Sequence, residues 1–419
     1  MPVKTTHAPA AAAALSECLE TRVAAREVAA QLRHECKQAK IARADLLIAF
    51  GSFHHRALFS DALEMLRDEL RPAHTLGCTV ESVLSGAQEV EHGPGLSVLA
   101  LSLPGALVRP FHFELVDGPP SVWSPGFIRE RVSLPPDEGA LPHRGILMLS
   151  DPFSTDTGRA CAAIDEVAGP QGARIFGGVA SGASFAGMNV LAADRRVLNN
   201  GIVGVSIFGD VALDGLVSQG CAPIGPRFVV TKAARNEILE LNGRPALEVA
   251  LEMSESLPEH ERDLLARGLL VGIAPDAAKP RLGRGDFIVR SVSRIDPARG
   301  AITLTDHVST GQTVEFHVRD ARTADEDLRM LLDAEQLRGD TAAAILFSCN
   351  ARGSRLFGSA HHDAELVSRR LRTQAVAGFH CAGEIGPLGR RSFVHTQTAS
   401  VVAFRATRAD FLSEPAARA

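Results

Sequence analysis

The chain has 419 residues and a formal net charge of −5, with 45% hydrophobic and 22% charged residues. That length supports two or three domains and a large buried core, and the acidic balance gives no general pull toward nucleic acid or anionic membrane. Tyr is absent and Trp123 is the single Trp, which leaves no base-stacking platform, and no apolar stretch reaches the roughly 18 residues of a membrane span.

From the N-terminus, an Ala run at 10–14 is soon interrupted by Glu17, Glu20, Arg22 and Arg26, unlike a secretory signal. Residues 15–40 predict an amphipathic helix with Leu15, Leu19, Val23, Val28 and Leu32 inward. LLIAFGS from Leu46 predicts a buried strand. Ala57 to Leu70 predicts a helix with Leu58, Ala62, Met65 and Leu66 on one face, stopped by Pro72. A glycine turn, LGCTVES from Leu76, leads to a further apolar run, LSVLAL from Leu96.

Residues 104–143, rich in Pro and Gly, read as an extended connection. The strand–helix–turn–strand order then repeats. ILMLSDP from Ile146 precedes a helix over 156–168, the turn FGGVASG from Phe176, and GIVGVSIFG from Gly201. A third copy comes later: ILFSCN from Ile345, a helix near 362–372, GFHCAGEIGP from Gly378, and ASVVAF from Ala399. The recurrence predicts one architecture built by duplication.

Between the second and third copies, 225–335 is different. FVV from Phe228 predicts a strand, and NEILELNGRPALEVALEM a helix, a turn at Asn242-Gly243, and a second helix. DFIVRSV, GAITLT and TVEFHV predict antiparallel strands, followed by a helix over 324–337. The predicted class is mixed α/β: repeated β-α-β units forming packed sheets with flanking helices, plus an antiparallel β-rich subdomain.

Four motifs in order carry a family resemblance: FGGVASG (176–182), ILELNGRPALEV (238–249), LFSCNARG (346–353) and GFHCAGEIGP (378–387), with HTQTASVVAF (395–404) closing. Together, over about residues 40–405, they resemble the FIST proteins, a sensory family with paired N- and C-terminal FIST domains. The resemblance implies an N-terminal helix at 1–40, a FIST N-terminal domain at 41–224 and a C-terminal domain at 225–405. Within the latter, 225–335 is the inserted β-rich part and 340–405 the third unit; 406–419 is a tail. It implies an intracellular sensor for a small polar ligand, with amino acids the suspected class. Family members often carry kinase, cyclase or methyl-accepting output domains, or an F-box. None is recognisable here, so output is expected from an unidentified partner protein.

Loops at strand C-terminal ends are where α/β sheets bind ligands. The candidate ligand residues are therefore Ser52, Cys78, Gly177, Gly178, Ser181, Cys349, Asn350, Arg352, Cys381 and Glu384. Arg352 could hold a carboxylate bidentately or pair with a local acid. Glu384, a lone carboxylate among glycines, could accept from an ammonium or cap its own turn. The two together would suit a zwitterion. Gly177, Gly178 and Ser181 could present N–H groups to an anion, or form a tight turn beneath the site. Gly383 and Gly386 would allow positive φ or close ligand approach.

Cysteine nucleophilicity at 349 or 381 would need a neighbouring cation such as His380 or Arg352; the plainer reading is a small buried hydrophobe. Seven cysteines with no CxxC pair fit a reducing cytosol. His54-His55 and His361-His362 lack metal-ligand spacing. No catalytic set, metal or cofactor is expected, and a cytoplasmic binding module is read ahead of two alternatives. One is an enzyme with a cysteine nucleophile. The other is an F-box-associated type of adaptor using an apolar patch near Phe111, Phe113 and Trp123.

Overall fold

The computed structural model describes residues 8–134, 141–169, 172–275, 279 and 281–407. The expected tail beyond its first two residues, the extreme N-terminus and 135–140 of the Pro-rich stretch lie outside the described residues. The chain divides into two compact bodies, one of 1–217, 329–394 and 399–419, the other of 218–328 with 395–398.

Among the described residues, the larger body repeats one order of elements three times. The first repeat holds β1 (Ala10–Ser16), α1 (Thr21–Gln38), β2 (Leu46–Ser52), α2 (Phe59–Leu70), β3 (His74–Val80), β4 (Val83–Ser85), β5 (Gln88–Val90) and β6 (Leu96–Ser102). The second holds β7 (Ala106–Phe113), α3 (Pro125–Arg131), β8 (His143–Ser150), α4 (Thr157–Ala168), β9 (Ile175–Val179), β10 (Leu191–Ala193), β11 (Arg196–Leu198) and β12 (Ile202–Gly209). The third opens with β13 (Ala212–Gln219). The smaller body then intervenes with β14 (Cys221–Ala234), β15 (Glu237–Leu241), β16 (Arg244–Pro245), α5 (Ala246–Ser256), α6 (Glu259–Leu265), β17 (Leu270–Ile273), β18 (Ile288–Asp296), β19 (Ala301–Leu304) and β20 (Thr313–Arg319). The third repeat resumes with α7 (Ala321–Gln336), β21 (Ala343–Cys349), the short α8 (Ser354–Phe357), α9 (His362–Leu371), β22 (Val376–Cys381), β23 (Gly383–Leu388), β24 (Arg391–His395) and β25 (Thr398–Arg405).

Within each repeat a parallel pair forms the centre: β2 with β3, β8 with β9, β21 with β22. β6, β12 and β25 flank the first member of each pair antiparallel. The other flank is borrowed. β3 takes β10 from the second repeat, β9 takes β23 from the third, and β22 takes β4 from the first. The exchange is cyclic, and it yields sheets ordered β1-β6-β2-β3-β10-β11, β7-β12-β8-β9-β23-β24 and β13-β25-β21-β22-β4-β5.

The unbroken apolar runs follow from burial on both faces. In β2, Leu46, Ile48 and Phe50 enter a core shared with the other repeats, while Leu47 and Ala49 face the layer holding α1 and α2. In β8, Leu147 and Leu149 point to the shared core, and Ile146 and Met148 to the layer with α3 and α4.

The stretches expected as glycine turns are buried strands. A Cβ at Gly77 would lie 2.5 Å from the Ala49 carbonyl oxygen, at Gly177 1.8 Å from that of Met148, and at Gly378 1.9 Å from that of Leu346. Each glycine is the register partner of the residue it would strike. The repeated glycine serves close strand approach rather than chain reversal. Gly386 likewise serves approach, since a Cβ there would sit 2.4 Å from Val217.

Other expectations also change. Residues 10–16 form β1, paired with β6; Leu15 lies in that strand and Leu19 is exposed. The buried face of α1 is instead Ala24, Ala25, Val28, Ala29 and Leu32. The Pro-rich stretch is no mere connection: it supplies β7, an edge partner of β12, and α3, whose Ile128 joins the core over β8. Phe111, Phe113 and Trp123 are buried there, with Phe113 and Trp123 stacked at 4.2 Å, so they form no surface patch.

In the smaller body the seven strands pair antiparallel in the order β14-β20-β17-β18-β19-β15-β16, and a β14–β15 pairing closes the sheet on itself. Here EILEL is strand, not helix. Asn242 (φ 49°) and Gly243 (φ 81°) make the left-handed turn that joins it to β16 as a hairpin.

Gly177→Ala is expected to lower stability by about 3 kcal/mol, at the upper end of overpacking costs. Gly126→Ala in α3, with nothing within 4 Å of the added carbon, should stay within about 1 kcal/mol of the parent. Urea melts of the two variants check this; equal losses would show that the strand glycines are not steric locks.

Candidate functional site

Side chains alternate along β2, β8 and β21, so their last residues split between two faces. Toward the helices lie Gly51, Ser150 and Ser348. A Cβ on Gly51 would touch Phe59 of α2 at 2.8 Å. The Ser150 hydroxyl meets Thr157 of α4 at 2.5 Å, and Ser348 donates to Asp363 of α9 at 2.8 Å. One residue earlier, Phe50, Leu149 and Phe347 point into the shared core. There Phe50 and Phe379 are 4.9 Å apart and Phe347 and Phe379 5.6 Å. Gly178 leaves room for them: its Cβ would stand 2.4 Å from Cys381 Sγ and 2.7 Å from the Phe379 ring. Burial pushes the Cys78 and Cys381 thiols up, and nearby Glu384 pushes Cys381 further. That is the opposite of what a nucleophilic thiolate needs.

The second repeat buries Asp151 at this level, bonded by Asn189 at 2.9 Å and Ser154 at 2.7 Å; the third differs in carrying a buried ion pair. Arg352 and Asp363 are completely buried, and Nε and Nη2 of the guanidinium donate to the two carboxylate oxygens at 2.7 and 2.8 Å. Asp363 also meets His362 Nδ1 at 3.0 Å. The Arg352 guanidinium lies over the Phe357 ring at 5.3 Å. Burial alone would raise the Asp363 carboxyl; the Arg352 charge and its bonds, with His362, override this and hold it far below the usual carboxylate range. The guanidinium is correspondingly held protonated.

Against this pair stand residues of the β4–β5 hairpin, delivered by the strand exchange. Glu89 Oε1 accepts from Ala364 N at 2.8 Å, in the first turn of α9 where the helix dipole favours an anion. Glu89 Oε2 lies 3.6 Å from His380 Nε2, too long for a hydrogen bond. Glu91 takes Ser354 N at 2.9 and 3.0 Å and its hydroxyl at 2.5 Å. Burial pulls the His380 imidazole down, but Glu89, Asp363 and Glu91 outweigh it and raise its pKa. Gly353, at φ 56°, is squeezed here: a Cβ would stand 2.8 Å from His380 and 2.9 Å from Glu91. Three buried atoms keep no hydrogen-bond partner: Arg352 Nη1, His380 Nε2 and Glu89 Oε2.

The structure gathers most of the residues expected from sequence, in roles that differ from expectation. Ser181 accepts from Glu81 N at 2.9 Å and donates to the His380 carbonyl, so one hydroxyl ties three repeats together. Asn350 lies beside Glu81, at 3.4 Å, and its carbonyl accepts from Arg355, which also reaches Glu81 at 2.7 Å. Cys349 and Cys381 are register partners, and Cys78 is buried opposite Phe50. Gly178 pairs with Glu384 across β9 and β23, so the glycine amides belong to a sheet and not to an anion-binding turn. Ser52 stands apart, accepting from Gly95 N at 2.9 Å at the head of the first repeat. Arg352 has the local acid as its partner, and its bidentate face is taken.

Sequence reasoning missed Asp363, Glu89 and Glu91. Asp363 follows the His361-His362 pair at a helix start, where acids are favoured; Glu89 lies in the short strand β5 and Glu91 one residue past its end. Two surface cavities lie elsewhere: about 440 Å³ beside Asp214, Arg338 and Arg405, and about 270 Å³ in the smaller body beside Phe228, Leu241 and Met253.

Breaking the buried pair leaves an uncompensated charge. Asp363→Asn is expected to cost about 3–5 kcal/mol, and Arg352→Leu with Asp363→Leu clearly less. Because the folded carboxyl titrates below its unfolded value of about 3.9, the stabilisation is complete above that pH and is lost as pH falls. Denaturant melts of both variants and an acid titration of the parent check this. A double variant no better than the single would remove the pair from the account.

Residues 45–244 match the FIST N domain and 246–387 the FIST C domain. An uncharacterized protein of Mycobacterium tuberculosis (strain CDC 1551 / Oshkosh) is 36% identical over 392 residues, covering 93% of this chain and 98% of its own. One from Mycobacterium bovis (strain ATCC BAA-935 / AF2122/97) is 36% identical over 392 residues, covering 92% and 96%. Cyanuric acid hydrolase from A. caulinodans superposes with a TM-score of 0.35 at 9% identity over 95% of this chain and 100% of its own, too loosely to carry an argument. FIST domains are generally associated with sensing in signal transduction. With both domain models matched across most of its length, the chain belongs to the FIST family.

Proposed function

We propose that this protein is a ligand-receiving module of signal transduction, and that it takes a small polar metabolite of the amino-acid class at the head of the third repeat. The observation that carries the reading is the convergence of Arg352 Nη1, His380 Nε2 and Glu89 Oε2, buried and without a hydrogen bond, the last two facing one another at 3.6 Å, beneath one surface segment. Each such atom costs about 1–3 kcal/mol. A carboxylate on Arg352 Nη1 and an ammonium on Glu89 would recover that cost, so affinity and closure draw on the same atoms. The zwitterion clamp expected from Arg352 and Glu384 thus shifts to Arg352 and Glu89.

The segment over the cluster, 350–361, is suited to opening. Gly353, Gly358 and His361 all have positive φ, at 56°, 72° and 72°. Its outer latch is the Arg355–Glu81 pair, with side chains 51% and 33% exposed. A pair that exposed contributes at most about 1 kcal/mol, so the stronger holds on the segment are the Glu91–Ser354 bonds and the buried Arg352–Asp363 pair. A ligand that binds one form more tightly shifts the population between them, and an output protein reading the segment would receive the signal.

Hydrogen–deuterium exchange over 350–361 tests this. Arg355→Ala should speed exchange there severalfold while changing global stability by less than about 1 kcal/mol. A panel of L-amino acids at millimolar concentration should contain a member that slows exchange in the parent. If no panel member alters exchange in this segment, the site assignment fails.

A further inference from the structure

We infer that the head of the third repeat selects its ligand through an ammonium group and favours net positive charge, as in a basic amino acid or an alkyl diamine. The inference rests on the reading that this head receives a small ligand. It deepens that reading through the charge around the unpartnered atoms.

Four carboxyl groups, Glu89, Glu91, Asp363 and Glu384, gather about Arg352 and the imidazoles His362 and His380. Arg352 and Asp363 cancel one another in their bidentate pair. With that pair set aside, the acids Glu89, Glu91 and Glu384 outnumber the imidazoles His362 and His380. Among the atoms without a hydrogen bond, Arg352 Nη1 carries two N–H donors, which can hold one ligand carboxylate. Glu89 is held by Ala364 N through Oε1 alone, which leaves Oε2 facing the cluster. That oxygen is an acceptor fixed at the start of a helix, 3.6 Å from His380 Nε2. A second carboxylate on the ligand would meet Glu89 and Glu91; a second ammonium would meet them favourably. Like-charge juxtaposition is what rejects the wrong partner. The outer latch adds nothing to the imbalance, since Glu81 is matched by Arg355.

Isothermal titration of the full chain with L-lysine, putrescine, L-alanine and L-glutamate tests this, in the parent, Glu89→Gln and Glu91→Gln. Glu89→Gln keeps an oxygen for Ala364 N while removing the charge; Glu91→Gln is read alongside in case the first variant unfolds. L-lysine or putrescine is expected to bind on the order of 100-fold more tightly than L-glutamate, and at least tenfold more weakly to a folded variant. L-alanine or L-glutamate binding as tightly as L-lysine, and weakening in the variants, would overturn charge selection and leave the site standing. Binding of any probe unchanged in both variants would overturn the site and the selection together. Failure of both L-lysine and putrescine to bind would overturn the selection whatever else binds.

Discussion

Backbone N–H and C=O groups along β3, β9 and β22 need partners that their own repeats do not supply on that side. Each finds them in a strand from another repeat, and the three loans form a closed cycle. An unpaired strand edge is an aggregation template as well as a loss of hydrogen bonding. The exchange removes three such edges at once and makes the repeats mutually dependent. The steric requirement at Gly77, Gly177 and Gly378 follows, because the parallel pairs at the centre approach too closely for any side chain there. So does the position of Ser181, whose hydroxyl bonds both other repeats.

On this threefold frame the three heads have diverged. The first closes on a glycine against Phe59, with Ser52 bonded to a neighbouring turn. The second closes on a Ser150–Thr157 contact beside the buried Asp151, which Asn189 and Ser154 bond. Only at the third does the contact between strand end and helix become a buried ion pair. Buried charge contributes little net stability compared with well-packed apolar groups. Unmatched buried atoms also occur at the first head, in His55, and at the second, in Asn189, so the buried ion pair is what sets the third head apart.

Much of the frame was legible in the sequence. Apolar runs at 46, 146 and 345 are strands because both faces are covered, and continuous hydrophobicity states that directly. The helices α2, α4 and α9 fall close to their expected bounds, since amphipathic spacing and the stops after them are local signals. What failed was tertiary. A glycine that marks a turn and one that admits a neighbouring carbonyl look alike, so LGCTVES and FGGVASG read as reversals when they are strands. EILEL has helical composition, yet the left-handed Asn242-Gly243 turn commits it to a hairpin. At the site, Arg352 and the loop around it were visible, while Glu89 and Glu91 were not. They come from a distant hairpin brought in by the exchange, and no local pattern announces that.

The cyclic loan also sets a timetable for synthesis. β4 ends at Ser85, and the strand it completes, β22, begins at Val376. At roughly 5–20 residues per second, a ribosome takes on the order of 15–60 s to make the intervening chain. During that interval the β4–β5 hairpin is finished but has no sheet to join. The first repeat therefore leaves the ribosome with this hairpin unpaired until the last repeat emerges.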